Sequence, residues 1–191
     1  MSEALPDLYD EAVLRASNAE PRSAWGLRSD LHAWRPGRIL PSEQASLLQL
    51  ECLGIHRGVK VLECGAGVGW MSSLLLTLGA RLCATEPDAK ALHDLARRMP
   101  ENSPLCRAHP LNGWLEAAPF DRICPTEILT TDPSTLRTQL APEGRLVYWM
   151  FCSGALELRL EVLTVTGIVR ERLALVRLEG GSEELVAFTG A

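Results

Sequence analysis

Three glycines at alternate positions, Gly65, Gly67 and Gly69, follow an acidic residue, Glu63, and precede a tryptophan, Trp70. Glycine accepts the positive φ of a tight turn and leaves bare backbone that a ligand can approach. A helix opening directly after such a turn presents unpaired N–H groups, which suit an anionic group. Dinucleotide dehydrogenases space this loop as G-x-G-x-x-G, with the third glycine one residue later than here. The order E-x-G-x-G-x-G suits S-adenosylmethionine instead, whose amino-acid end needs backbone groups and a carboxylate field for its ammonium. A second acid, Glu86, lies in Thr85-Glu86-Pro87-Asp88, at the end of the next predicted strand. A carboxylate there can accept both hydroxyls of a ribose; the competing structural reading is a helix-capping or solvated acid.

These residues need strands and helices to hold them, and the hydrophobic periodicity supplies candidates. Val59–Glu63 reads as a strand and Trp70–Leu78 as its helix, stopped at Gly79. Arg81–Glu86, Pro104–Ala108, Phe120–Cys124 and Gly144–Phe151 read as four further strands. Asp88–Met99 and Ser134–Leu140 read as helices, with a short turn near Gly113 to Glu116. Strands alternating with helices imply βαβ units, a parallel sheet and right-handed crossovers. After Gly154 the period changes to two, with Leu156, Leu158, Leu160 and Val162 alternating with charged residues. This reads as a half-buried strand, followed by strands near 168–178 and 184–188 around a turn at Gly180-Gly181-Ser182.

Ahead of the glycine loop, Ser42 is a predicted N-cap for a helix ending at Leu53, with Gly54 as its stop. Leu5 to Ala16 reads as a helix, with Leu8, Ala12 and Val13 on one face. Asn18 to Pro36 reads as loop with short helical pieces, and Arg35 to Pro41 as a bent connection. The expected fold class is α/β, a doubly wound, mostly parallel sheet with antiparallel C-terminal strands and an N-terminal helical extension. One domain over 1–191 is expected, with a substrate-side segment 1–53, a cofactor-binding core 54–154 and edge strands 155–191. A chain of 191 residues is enough for one sizeable core.

Composition excludes several classes. The net charge of −5 speaks against a nucleic-acid partner, which leaves a basic footprint. The acidic N-terminus has no apolar core of the signal-peptide kind, and the longest aliphatic run, near Leu74 to Leu78, is far short of a membrane span. The six cysteines lie far apart with no C-x-x-C and no zinc-finger spacing. They read as reduced, mostly buried thiols of a cytoplasmic protein, and no metal is expected.

Five segments in order resemble the protein-L-isoaspartate O-methyltransferase family, from about Ile39 to Leu178. They are Val61 to Trp70, with Trp70 where the family usually has tyrosine; Ala84-Thr-Glu-Pro-Asp; His109-Pro-Leu-Asn-Gly-Trp-Leu; Pro119-Phe-Asp-Arg-Ile; and Leu140-Ala-Pro-Glu-Gly-Arg-Leu-Val. The resemblance implies a Rossmann-like methyltransferase domain and S-adenosylmethionine as methyl donor. It implies in-line transfer to a carboxylate oxygen of a protein, peptide or small-molecule acceptor. It implies a cofactor site of Glu63, Gly65, Gly67, Gly69, Trp70, Glu86 and Asn112, the last where the family has an adenine-binding aspartate. The chain departs from the family on the acceptor side. The substrate loop T-I-S-Q-P becomes Ile39-Leu-Pro-Ser-Glu-Gln, so the family serine falls on Pro41 or, with a one-residue shift, on Ser42. After the fourth strand a small-residue run becomes Cys124-Pro-Thr-Glu-Ile. Ser42 and Thr126 are the candidate acceptor-side hydroxyls, and Glu127 places a negative charge near an anionic substrate.

Trp70 and Trp114 stand beside cofactor segments, where they can wall the adenine or simply pack, and His109 alone among the histidines lies near a strand end. Two functional readings follow: an O-methyltransferase acting on a carboxylate, or a methyltransferase-like protein without that catalysis, serving as a binding or regulatory partner. Asn112, Pro41 and Glu127 motivate the second.

Overall fold

The computed structural model describes residues 9–101, 103–179 and 182–188. Helix α1 spans Glu11–Ala19, and the Asp10 carboxylate caps it by accepting the Ala12 N–H at 2.7 Å. The expected helix thus begins later, because Asp10 offers the cap; Leu5 to Leu8 lie outside the described residues. Val13 and Ala16 are buried, and α1 packs on α2 (Glu43–Leu53) and α3 (Trp70–Thr77).

A 3₁₀ turn, Arg22–Trp25, follows, and then two short antiparallel strands, β1 (His32–Arg35) and β2 (Arg38–Leu40). This hairpin stands where the sequence suggested loop and a bent connection. Four-residue and three-residue strands are too short for a period of two to register. The turn is supplied by Pro36 and Gly37, the latter at φ +75°. Helix α2 forms as expected: Ser42 caps it, accepting the Ala45 N–H at 3.3 Å, and Gly54 ends it at φ +60°.

The central sheet has eight strands: β3 (Lys60–Cys64), β4 (Arg81–Thr85), β5 (Leu105–Cys106), β6 (Phe120–Pro125), β7 (Leu140–Cys152), β8 (Ala155–Thr164), β9 (Gly167–Glu179) and β10 (Ser182–Phe188). Their order is β5-β4-β3-β6-β7-β8-β9-β10. The pairs from β5 to β7 are parallel, and those from β7 to β10 antiparallel. The expected α/β architecture with antiparallel C-terminal strands is observed. Strand order reverses between β3 and β6, and in open α/β sheets the crevice outside the carboxyl ends at that switch point takes the ligand.

Successive residues of β3 serve opposite faces, as the pleat requires. Val61 joins the core under α2 and α3, while Leu62 and Cys64 join a second core with Phe120, Ile123 and Tyr148. Helix α4 (Ala89–Ala96) sends Leu95 into the first core; α5 (Ser134–Arg137) sends Leu136 into the second. Strand β7 starts at Leu140 rather than at the expected Gly144. Glu143 at φ +58° bends it early and its register against β6 slips there. A run through Pro142-Glu143-Gly144 hides a strand from pattern reading. Helix α5 is correspondingly a single turn.

Candidate cofactor and acceptor site

The glycine loop leaves β3 and is pinned to β4. Gly65 and Ala66 both donate their N–H groups to the Thr85 carbonyl, at 2.8 and 2.9 Å. Gly65, Gly67 and Gly69 all hold positive φ, and Gly69 opens α3. At Gly69 a Cβ would come within 2.6 Å of Leu95 Cδ1, so this glycine serves the packing of α4 on the loop. At Gly67 it would meet the Trp34 ring at 3.3 Å, and at Gly65 the Arg38 Nη2 at 2.8 Å.

Two acids stand under this loop. Glu86 is fully buried at the end of β4. Its Oε2 accepts the Gly67 N–H at 2.8 Å and its Oε1 the Asp88 N–H at 2.9 Å, which fixes the plane of the carboxylate. Asp88, not Glu86, caps α4, through the Ala91 N–H at 2.7 Å. Glu63 is also fully buried. The Ser72 hydroxyl donates to its Oε2, while its Oε1 has no hydrogen-bond partner. Burial pushes the Glu63 carboxyl up to about 8; the Ser72 bond pulls the other way and the charge of Glu86 adds to the rise. At neutral pH Glu63 is therefore largely protonated.

The β1–β2 hairpin lies over these groups. Arg38 points into the site with its side chain 12% exposed. Its Nη1 donates to Glu86 Oε1 at 2.7 Å, its Nη2 to Glu86 Oε2 at 3.1 Å and to the Gly65 carbonyl at 3.2 Å, and its Nε to Glu127 Oε2 at 2.5 Å. Burial alone would push the guanidinium down; the bonds to Glu86 and Glu127 reverse this and raise it. Arg35 at 4.6 Å and Arg38 at 4.8 Å both stand over the Trp34 ring, a cation–π arrangement. Arg35 in turn reaches Asp88 at 3.2 Å. What remains open beside the loop is a cavity of about 30 Å³, touched by Trp34, Leu40, Gly67, Trp70, Met71 and Thr126.

The structure brings Glu63, the three glycines, Trp70 and Glu86 together. Trp70 is buried, donates its indole N–H to the Glu20 carbonyl at 2.9 Å and lies under Arg22, 4.9 Å from its ring. It lines the cavity and packs the N-terminal segment at once. Thr126 also lines the cavity, its hydroxyl bound to the Gly65 and Cys64 carbonyls. Asn112 stands apart, exposed on a loop that Gln139 holds through the Asn112 carbonyl and the Trp114 N–H, both at 2.8 Å. Ser42 spends its hydroxyl on the α2 cap, and His109 is exposed. The negative charge expected of Glu127 is countered, because Arg38 pairs with it. Trp34, Arg38 and the buried Arg22, which donates to the Pro41 carbonyl at 2.8 Å, were not singled out by sequence reasoning. The available signal was Arg35-Pro36-Gly37-Arg38, a turn flanked by cations, but its partners lie 48 and 89 residues away.

The switch-point glycine loop and the acid ending β4 define a class, the Rossmann-like methyltransferase domain. Solved structures share it. A protein-L-isoaspartate O-methyltransferase superposes with a TM-score of 0.68 at 19% identity, over 97% of this chain and 62% of that one. A Plasmodium falciparum β-aspartate methyltransferase, solved with S-adenosyl-L-homocysteine, superposes with 0.72 at 16% identity, over 97% and 92%. Within that class the chain belongs to the protein-L-isoaspartate(D-aspartate) O-methyltransferase family, whose model matches residues 41–151. Protein-L-isoaspartate O-methyltransferases from Methylorubrum extorquens and Anaeromyxobacter dehalogenans are 35% and 39% identical to it. The matches cover 73% and 63% of this chain, and 66% and 63% of those proteins. The chain thus spans just under two thirds of the length of these relatives.

Proposed function

We propose that the chain is an S-adenosylmethionine-dependent O-methyltransferase that esterifies a carboxylate, in the first instance that of an isoaspartyl residue in a protein or peptide. The observation that carries this reading is the Glu86 carboxylate, fully buried yet held by the Gly67 and Asp88 amides with its two oxygens level at the switch point. The acid that ends the strand after the glycine loop is where a ribose diol is accepted in Rossmann-like sites. The residues fit the cofactor. Glu86 takes the ribose hydroxyls and the Gly65–Gly69 backbone receives the amino-acid end, with Glu63 buried beneath that backbone. Trp70 and Thr126 wall the reacting end, and Asn112 stands on the loop assigned to the adenine.

S-adenosylmethionine supplies an electrophilic methyl group and leaves as S-adenosylhomocysteine once the acceptor oxygen has formed its ester bond. An acceptor carboxylate is already ionised, so the residues need supply no general base. Their contribution is alignment and exclusion of water, to which the buried glycine loop contributes. The family match, the glycine loop and the Glu86 geometry support this assignment. The test is transfer of a labelled methyl group to an isoaspartyl peptide, with the aspartyl peptide as control; labelling of both or neither overturns the substrate assignment.

One observation favours a second reading, a methyltransferase-like binding or regulatory partner. Arg38 and Trp34 fill much of the cofactor side. Absence of S-adenosylhomocysteine binding by calorimetry would select it. Six free cysteines, four of them buried, support a reducing, cytoplasmic compartment. Among the described residues no helix is long and apolar enough to cross a membrane.

A further inference from the structure

The lone pairs of Glu86 are fully subscribed. A carboxylate offers roughly four acceptor sites, and four N–H groups use them: Gly67 and Asp88 from the backbone, and Nη1 and Nη2 of Arg38. The two backbone donors orient the carboxylate and leave its outer face free. The guanidinium fork covers that outer face, the one a pair of vicinal hydroxyls would need. Trp34 meanwhile lies against Gly67, where an incoming ligand would meet the loop. The cavity left, about 30 Å³, compares with about 300 Å³ or more for a ligand pocket.

From this we infer that the β1–β2 hairpin is a self-ligand of the cofactor site. Arg38 mimics the ribose diol on Glu86, so that hairpin opening and cofactor binding are a single coupled equilibrium. The inference rests on the cofactor reading above. Arg38 has a second anchor, Glu127, which holds the closed form without contributing to the ribose face. Opening breaks a two-pronged charged pair with Glu86 whose carboxylate is completely buried. The penalty of leaving that carboxylate unpaired is met only when a diol replaces the guanidinium. Affinity measured on the whole protein is then the intrinsic affinity scaled by the fraction of open hairpin. Lysine at position 38 would keep the charge but lose the planar fork that matches both carboxylate oxygens.

Calorimetric titration with S-adenosylhomocysteine separates the possibilities. Arg38→Met is expected to bind about tenfold or more tightly than the natural protein, within the usual range of coupling between two states, and Arg38→Lys to fall between them. Equal or weaker binding by Arg38→Met would mean that Arg38 assists the cofactor, and would overturn the inference while leaving the cofactor reading intact. A flat titration for all three proteins would overturn both. Hydrogen exchange on the unmutated chain gives an answer independent of any variant. Amides of residues 32–40 are expected to lose protection on addition of S-adenosylhomocysteine; unchanged or increased protection there sinks the hairpin's role.

Discussion

The donor half and the covering half of this site are built on different principles. The donor half, Glu63 to Gly69 with Glu86, is bound into the sheet. The loop hangs from the Thr85 carbonyl, Gly69 packs against Leu95 and Met99, and both acids are inaccessible. The covering half, β1 and β2, is seven residues of strand attached through cation–π stacking and ion pairs. One is fixed by packing and backbone geometry, which cannot be altered without strain. The other is fixed by charges that another ligand can replace. The pairing teaches that a site can combine a rigid floor with an exchangeable roof, and that mutations in the two should register in different measurements.

The contrast can be broken or sharpened by experiment. The largest effect is expected in the floor. Gly69→Ala sets a Cβ within 2.6 Å of Leu95 Cδ1 at a φ of +94°, and should lower stability by about 3 kcal/mol. Denaturant unfolding reads this, and a loss of under about 1 kcal/mol would show that the loop yields more than its packing suggests.

Next is Glu63. Its folded value of about 8 stands above its ordinary 4.5. The contribution of the neutral carboxyl is therefore fully present below about pH 4.5 and is lost as pH rises through 8, since the folded state holds the extra proton over that window. Melting temperature should decline between pH 5 and 8. Glu63→Gln should flatten that slope, with a gain of about 2 kcal/mol at the upper end. An unchanged slope would assign the pH dependence elsewhere.

At the joint between roof and floor, Ser42→Ala removes the α2 cap. It should cost about 1 kcal/mol of stability and leave methyl transfer unchanged; a large fall in turnover at intact stability would return Ser42 to the acceptor side. Smallest is Arg35→Ala. Its pair with Asp88 is 39% and 33% exposed and its guanidinium also stacks on Trp34, so the loss in stability, read by thermal unfolding, should stay under about 1 kcal/mol. A larger shift would mean that the roof is more firmly fastened than its exposure implies.

The sequence made the floor legible because its information is local. Strand, glycines and helix occur within about twenty residues, and Glu86 follows at the end of the next strand. The antiparallel C-terminal strands were legible too, since β8 alternates cleanly. The roof was not. Its strands are shorter than a period can show, and the meaning of Arg38 depends on carboxylates 48 and 89 residues away. The charge of Glu127 is visible in the sequence, while its pairing with Arg38 is not. The late start given to β7 came from Pro142-Glu143-Gly144, residues whose backbone bends within a strand that nevertheless continues.

Trp34 is half-buried beside two guanidinium groups and against bare glycine backbone. An indole so placed has surroundings set by two neighbouring cations and the glycine loop, and fuller exposure to water shifts indole emission to the red. On the hairpin-opening inference, Trp34 is the tryptophan whose surroundings change with the cover, while Trp25, Trp70, Trp114 and Trp149 lie outside the hairpin.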